Sequence, residues 1–378
     1  MLFVAENSDG NRIEYRDTKR HLWLLAYFVP LMPVISVWLY FVSGQNPLVT
    51  LLPLAFFFVC IPLLDFVVGE DVTNPPPEIV ALMEADRYYS RLLYLSVPLF
   101  WLGLLVPAWL VGTQDLPWWA VLALAIGTGY SSGTAITVGH ELGHKLNRTD
   151  RVMAILANAV SGYGHFCIEH NRGHHTWVAT PEDFSSARFN ESIYAFALRD
   201  SYGALVSGWH REHERLHRKG LPALHRSNEV LQGYMITLIV VLILIALFGL
   251  VMIPFLLMQY AIGWYALSQA NYVEHYGLKR QKLPNGRYEP VRPHHSWNTN
   301  HLISNLMLFH LQRHSDHHAN PLKPYQGLLD HESLPRLPSG YPGCFLLTAV
   351  PTLWRRVMNP KVLDCVSGDI SKVNTGQM

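Results

Sequence analysis

Charge and cysteine are what this chain has least of. Only 15% of its 378 residues are charged, against about 25% in soluble domains. Half are hydrophobic, which excludes a purely soluble organisation. The four cysteines (Cys60, Cys167, Cys344, Cys365) are scattered and form no CxxC pair. That excludes a disulfide framework and any cysteine-ligated iron module within the chain. Internal repeats and low-complexity tracts are also missing. No basic n-region opens the sequence; the first twenty residues instead hold Glu6, Asp9, Glu14 and Asp17. The first apolar run is therefore expected to stay as an anchor and not to be removed as a secretory signal.

What is present is apolar sequence in long blocks. A helix needs about 20 apolar residues to cross a bilayer, and such blocks recur at roughly 21–43, 47–69, 92–112, 117–138, 233–251 and 253–270. The expected architecture is all-α, a polytopic membrane protein with six transmembrane helices. Of the 29 lysines and arginines, four precede the first span, two lie in the second connection, eleven fall in 143–232 and twelve follow 272. The short connections near 44–46, 113–116 and 252 carry none. The positive-inside rule then puts both termini and every long loop in the cytoplasm. The expected segments are 1–20, a cytoplasmic N-terminal segment; 21–142, spans one to four; 143–232, a cytoplasmic insert; 233–272, spans five and six; and 273–378, a cytoplasmic C-terminal region. Asp65 and Glu70 are expected at the interface. Phe56, Phe57 and Phe58 in the second span either pack against neighbours and lipid or line a tunnel. The small residues of the fourth span (Gly127, Gly129, Ser131, Ser132, Gly133, Thr134, Thr137, Gly139) either permit close helix packing or leave open volume beside it.

Against this background the histidines are concentrated. HELGHK at 140–145, EHNRGHH at 169–175, NYVEHYGL at 271–278 and LQRHSDHHA at 311–319 hold nine of the twenty. Spacings of three and four residues put side chains on one helix face. This applies to His140 with His144, to His170 with His174 and adjacent His175, and to His314 with His317 and His318. His275 makes the ninth. Spans two, four and six must end on one side of the membrane, so His140 and His275 emerge on the same side as the soluble boxes. Imidazole is the commonest metal-binding side chain and binds uncharged. Nine ligands exceed what one metal takes, whereas two metals with four or five nitrogens each fit the count. The cytoplasmic cap is thus expected to hold a dinuclear site. Each box also carries an acid: Glu141, Glu169, Glu274 and Asp316. These either accept the second N–H of a ligating imidazole and fix its tautomer, or pair with Lys145, Arg172 or Arg313. His210, His213 and His217 lie among charged residues and read as a solvated face.

The four boxes, in this order around six spans, resemble the integral-membrane alkane 1-monooxygenases. The first two boxes are shared with the wider membrane di-iron desaturases and hydroxylases, and the last two are particular to this group. The resemblance covers about Trp23 to Asp369. It implies two iron ions, with no haem and no flavin in the chain, held by His140, His144, His170, His174, His175, His275, His314, His317 and His318. It implies that O2 supplies one oxygen atom to the terminal methyl of a linear, medium-chain alkane. Electrons would come through rubredoxin from an NAD(P)H-dependent rubredoxin reductase. Some relatives carry a fused rubredoxin, and this chain does not. The implied location is the cytoplasmic (inner) membrane; the partners are rubredoxin, alkane, O2 and the lipid bilayer, with no nucleic acid. Arg148, Arg151, Arg292 and Arg313 are candidates for docking an acidic electron donor, or else they face solvent or lipid phosphate.

Two other readings compete. His140 to His144 also satisfies HExxH, the signature of a zinc protease with Glu141 as general base, but that leaves seven of the nine histidines without a purpose. A fatty-acyl desaturase or hydroxylase shares the first two boxes but not NYVEHYGL.

Overall fold

The computed structural model describes residues 1–376. The polar N-terminus is not helical. Leu2–Glu6 and Arg12–Arg16 pair as an antiparallel hairpin in the register Leu2↔Arg16 to Glu6↔Arg12. Asn7 organises its turn by accepting from the amides of Asp9 and Asn11, the local bonding that suits asparagine to turns. Beyond it the chain is helical.

Five helical segments among the described residues are long and apolar enough to cross a membrane: Leu22–Val42, Pro47–Val68, Arg87–Thr113, Trp118–Gly143 and Glu229–Phe248. Met252–His275, expected as the sixth, has the length at 24 residues but not the hydropathy. Its polar side chains are spent on the bundle interior. Gln259 donates to Ser132 Oγ and, at 3.3 Å, to the Val160 carbonyl. Gln269 and Asn271 are buried as well. The polarity that lowers its apolar score is thus turned away from the outside.

Trp118–Gly143 is the central post, buried over 83% of its most apolar window and packed against Met252–His275, Arg148–Val160 and Arg87–Thr113. Its small residues serve both purposes considered above. A Cβ on Gly129 would sit 2.6 Å from Ile262 Cβ, and one on Gly139 would collide with the Asn158 side chain, so close packing requires glycine there. Gly133, Thr134 and Thr137 instead border an open cavity.

The second span is irregular. Between Pro53 and Pro62 it contains a π-helical turn, Phe56–Cys60, of the kind that recurs at functional sites. Asp65 near its end is not solvated. It is 1% exposed and accepts the Ser304 amide at 2.9 Å, tying the second span to the C-terminal region.

Ile193–His217 is a 25-residue helix capped by Ser192. Its last turns are charged and expose His213 and His217, but its first turns expose Tyr194, Leu198, Tyr202 and Val206, one apolar stripe at a spacing of four. Within 273–378, Leu302–Met307 and His314–Ala319 carry the last box toward the bundle. Tyr341–Thr348 returns to pack against Met252–His275 and the π turn of the second span.

Candidate metal centre

The four boxes converge at the ends of the central helices. The nine imidazoles sort into two groups. His140, His144, His170, His175 and His317 form one; His174, His275, His314 and His318 form the other. Within each group one ligand atom per residue lies within 4.8 Å of all the rest. In the first, Nε2 of His140 is 2.8 Å from Nε2 of His317, and His175 Nε2 is 2.9 Å from His170 Nε2 and 3.2 Å from His317 Nε2. In the second, His314 Nε2 is 2.9 Å from His318 Nε2 and 3.2 Å from His275 Nε2.

Backbone geometry makes this partition. His140 and His144 share one α-helical face and one group. His170–His174 is a π-helical turn, whose wider period aligns residues five apart. His170 and His175 therefore meet in the first group, while His174 points into the second. His314–Ala319 likewise serves both, sending His314 and His318 to one group and His317 to the other. That helix is aimed by the turn before it, where Phe309 and His310 hold φ of 47° and 53°, a left-handed conformation uncommon outside glycine. The turn is buried beneath Trp23, whose ring lies 4.6 Å from that of His310.

The donor set fits metal ions. A neutral imidazole has one N–H and one lone pair, so four or five ring nitrogens aimed at one point cannot all be satisfied by bonding one another. The buried Nε2 atoms of His144 and His174 have no hydrogen-bond partner, and a cation at each point would engage every lone pair. Burial first, and then the neighbouring imidazoles, push the pKa values of His170, His175, His314, His317 and His318 well down, which favours the neutral, ligating form. His174 differs. Burial also opposes its charge, but Asp183 Oδ2 lies 2.9 Å from its Nδ1 and raises its pKa overall.

Asp183 was not legible as a site residue. It sits in the loop after the second box and is fixed by Ser186 Oγ at 2.6 Å and the Ser185 amide. Ser185 Oγ then bonds Asp200, which also takes Ser268 Oγ, at 2.7 Å each. A buried chain of polar groups thus runs from His174 to Met252–His275.

The four acids within the boxes have different surroundings. Glu274 Oε2 lies 3.3 Å from His314 Nε2, and its other oxygen accepts Tyr341 Oη at 2.8 Å. Glu141 faces Lys145 at 3.4 Å and the Tyr325 amide. Asp316 bonds Lys323 at 2.8 Å together with Asn320 and the Leu329 amide. It braces the loop after its box because its side chain leaves the helix on the face opposite the ligands. Glu169 meets Ser207 Oγ at 3.4 Å, and burial, reinforced by Asp183, pushes its pKa up to about 8. Of the arginines expected at the surface, Arg313 is 1% exposed and bonds the carbonyls of Leu328 and Asp71; it is a structural clamp.

A narrow apolar cavity ends on the centre. His140, His170, His314 and Glu274 stand at one end, and Phe57 and Phe345 are among its other walls. Phe57 stacks on Tyr130 at 5.3 Å. Phe56 and Phe58 are half-buried and lie outside the lining.

The fatty acid desaturase family matches residues 116–345. An alkane 1-monooxygenase of Ectopseudomonas oleovorans is 50% identical over 95% of this chain and 90% of its own length. One from Pseudomonas putida is 49% identical over 95% and 89%, and one from Alcanivorax borkumensis is 48% identical over 99% and 92%. Identity at this level across the whole arrangement displaces the protease and acyl-desaturase readings. This membrane protein with a histidine-built metal site belongs to the alkane 1-monooxygenases within the fatty acid desaturase family.

Proposed function

We propose that the protein hydroxylates linear medium-chain alkanes at the terminal methyl, at two iron ions held by the nine histidines. His140, His144, His170, His175 and His317 would hold one ion, and His174, His275, His314 and His318 the other. The observation that carries this is the apolar cavity whose end is formed by ligands of both groups: it admits a hydrocarbon and presents its tip to the centre. The bound irons would supply the oxidising power that O2 alone lacks toward a C–H bond. The balance is one alkane, one O2, two electrons and two protons to one primary alcohol and one water.

The chain's own residues select and orient. Phe57, Ala266 and Phe345 exclude water and hold the alkane along the cavity, which gives preference for a chain end over a mid-chain carbon. Asp183 keeps the proton of His174 on Nδ1, leaving Nε2 free as donor. Six membrane crossings, with Met252–His275 as the sixth, would place both termini and the histidines on the cytoplasmic side. Electrons from rubredoxin would enter there, and exposed Arg148, Arg151 and Arg292 suit an acidic donor.

The test is metal content and Mössbauer spectra of the detergent-purified protein, followed by turnover of an alkane series with rubredoxin and its reductase. About two irons per chain in nitrogen-rich sites and 1-alkanols as product are expected. One zinc without iron, or no alkanol from an iron-loaded sample, overturns the proposal.

A further inference from the structure

The cavity wall formed by Tyr341–Thr348 is thin. On its inner face Tyr341 and Phe345 border the cavity, while the next residue, Leu346, is 47% exposed on the outside. Val350 and Leu353, which follow, are exposed too. Across from it, Phe57 borders the cavity and stacks on Phe345 at 6.3 Å, whereas Val59 and Cys60 of the same π turn are exposed. Between the interior and the apolar outer surface there is therefore one layer of rings.

The two ends of this short helix are held differently. The N-terminal end is pinned beside the metal centre, where the Tyr341 amide bonds Gln312 at 2.9 Å and its hydroxyl bonds Glu274 at 2.8 Å. The other end is held at its C-cap by Tyr194 Oη, which donates to the Ala349 carbonyl at 2.8 Å, and within the helix by Gln269. Its Nε2 donates to the Phe345 carbonyl and to Thr348 Oγ1, both at 3.3 Å, and its Oε1 accepts Tyr130 Oη at 3.1 Å. Gln269 is 2% exposed, and a buried amide is unfavourable unless bonded. Its three partners are on the central helix and on Tyr341–Thr348. Two long, uncharged bonds of this kind are among the easier ones to break and remake.

We propose that Gln269 is a latch, holding Tyr341–Thr348 closed as a movable wall through which the alkane passes between bilayer and cavity, and thereby limiting the chain length admitted. The occupant of the opened gap is the hydrocarbon phase, because the outer face of the wall is continuous with the apolar surface of the second span. The claim about chain length rests on the alkane hydroxylase reading; the claim about wall movement does not.

Cys344 reports on the movement directly, since it is fully buried on this helix, whereas Cys60 and Cys365 are exposed. The iron-loaded protein in lipid nanodiscs is treated with N-ethylmaleimide, and modification of each cysteine is followed by peptide mass spectrometry. The variant is Tyr130→Phe with Gln269→Leu, which removes both ends of the Tyr130–Gln269 bond and leaves no unpaired hydroxyl; Thr348 Oγ1 keeps its own bond to the Phe345 carbonyl at 2.8 Å. Relative to Cys365, Cys344 should react about tenfold faster than in the native protein, the shift expected from losing two ordinary hydrogen bonds. The variant should also hydroxylate alkanes longer than the native limit, with unchanged iron content. Unaltered Cys344 modification overturns the latch. Faster modification with an unaltered alkane range overturns its link to substrate. A native protein that hydroxylates no alkane defeats the proposed function, yet leaves the cysteine comparison to decide the latch.

Discussion

At the scale of single residues, Asp183 and Phe57 act on the centre from opposite sides. Asp183 holds His174 through Nδ1, and partners of ligating histidines typically contribute 10–100-fold in metal affinity. Asp183→Asn preserves size but removes the charge and one of the two acceptor oxygens. It should weaken metal retention by about 10–100-fold, measured as iron lost to a chelator; retention equal to the native protein would remove Asp183 from any role in holding metal. Phe57 borders the cavity between Tyr130 and Phe345. Phe57→Leu should extend the accepted alkanes to longer chains, read by gas chromatography of products from a mixed series; an unchanged profile would show that the ring does not limit length. The nine histidines were legible because their boxes are dense in an otherwise charge-poor chain. Asp183 was not, since no periodicity joins a loop carboxylate to a histidine nine residues earlier. The Phe56 to Phe58 run was legible only as a group, because the π turn decides which ring faces inward.

Among elements, Ile193–His217 is the most informative. Its charged last turns could be read from sequence, but Arg199 and Asp200 interrupt the apolar pattern ahead of them and hide the stripe. Folding turns Asp200 inward to Ser185 and Ser268 and pairs Arg199 with Glu191. Tyr194, Leu198, Tyr202 and Val206 are left on one exposed face, the form of a helix that lies in a membrane interface. An environment-sensitive fluorophore on a cysteine at Leu198 should be blue-shifted and quenched by nitroxide lipids, whereas one at His213 should resemble the dye in water. Equal spectra at the two positions would place the whole helix in solvent. Met252–His275 illustrates the opposite limit of hydropathy: Gln259, Gln269 and Asn271 lower its average although they face the bundle.

For the whole molecule, the asymmetric placement of lysine and arginine gives an orientation. The structure gathers the nine histidines of the boxes together at the ends of the central helices. Cys365 is exposed at the end of Pro351–Cys365. A membrane-impermeant maleimide should label it in inside-out vesicles and leave it unlabelled in right-side-out vesicles; the reverse pattern would invert the topology. That the histidines would form more than one group could be read from their number, but the division between the groups could not, because the α-helical period fails within His170–His174.

That π turn has a consequence for how the centre fills. One backbone turn carries ligands to both groups, and so does His314–Ala319. In the proposed two-ion centre, an ion arriving at either group would fix the backbone that presents ligands to the other and thereby bear part of the ordering cost of the second arrival. Loading would then be cooperative, and by reciprocity each ion would raise the affinity for its neighbour equally. A population at half its metal content should consist mainly of empty and doubly filled chains, with few carrying a single ion.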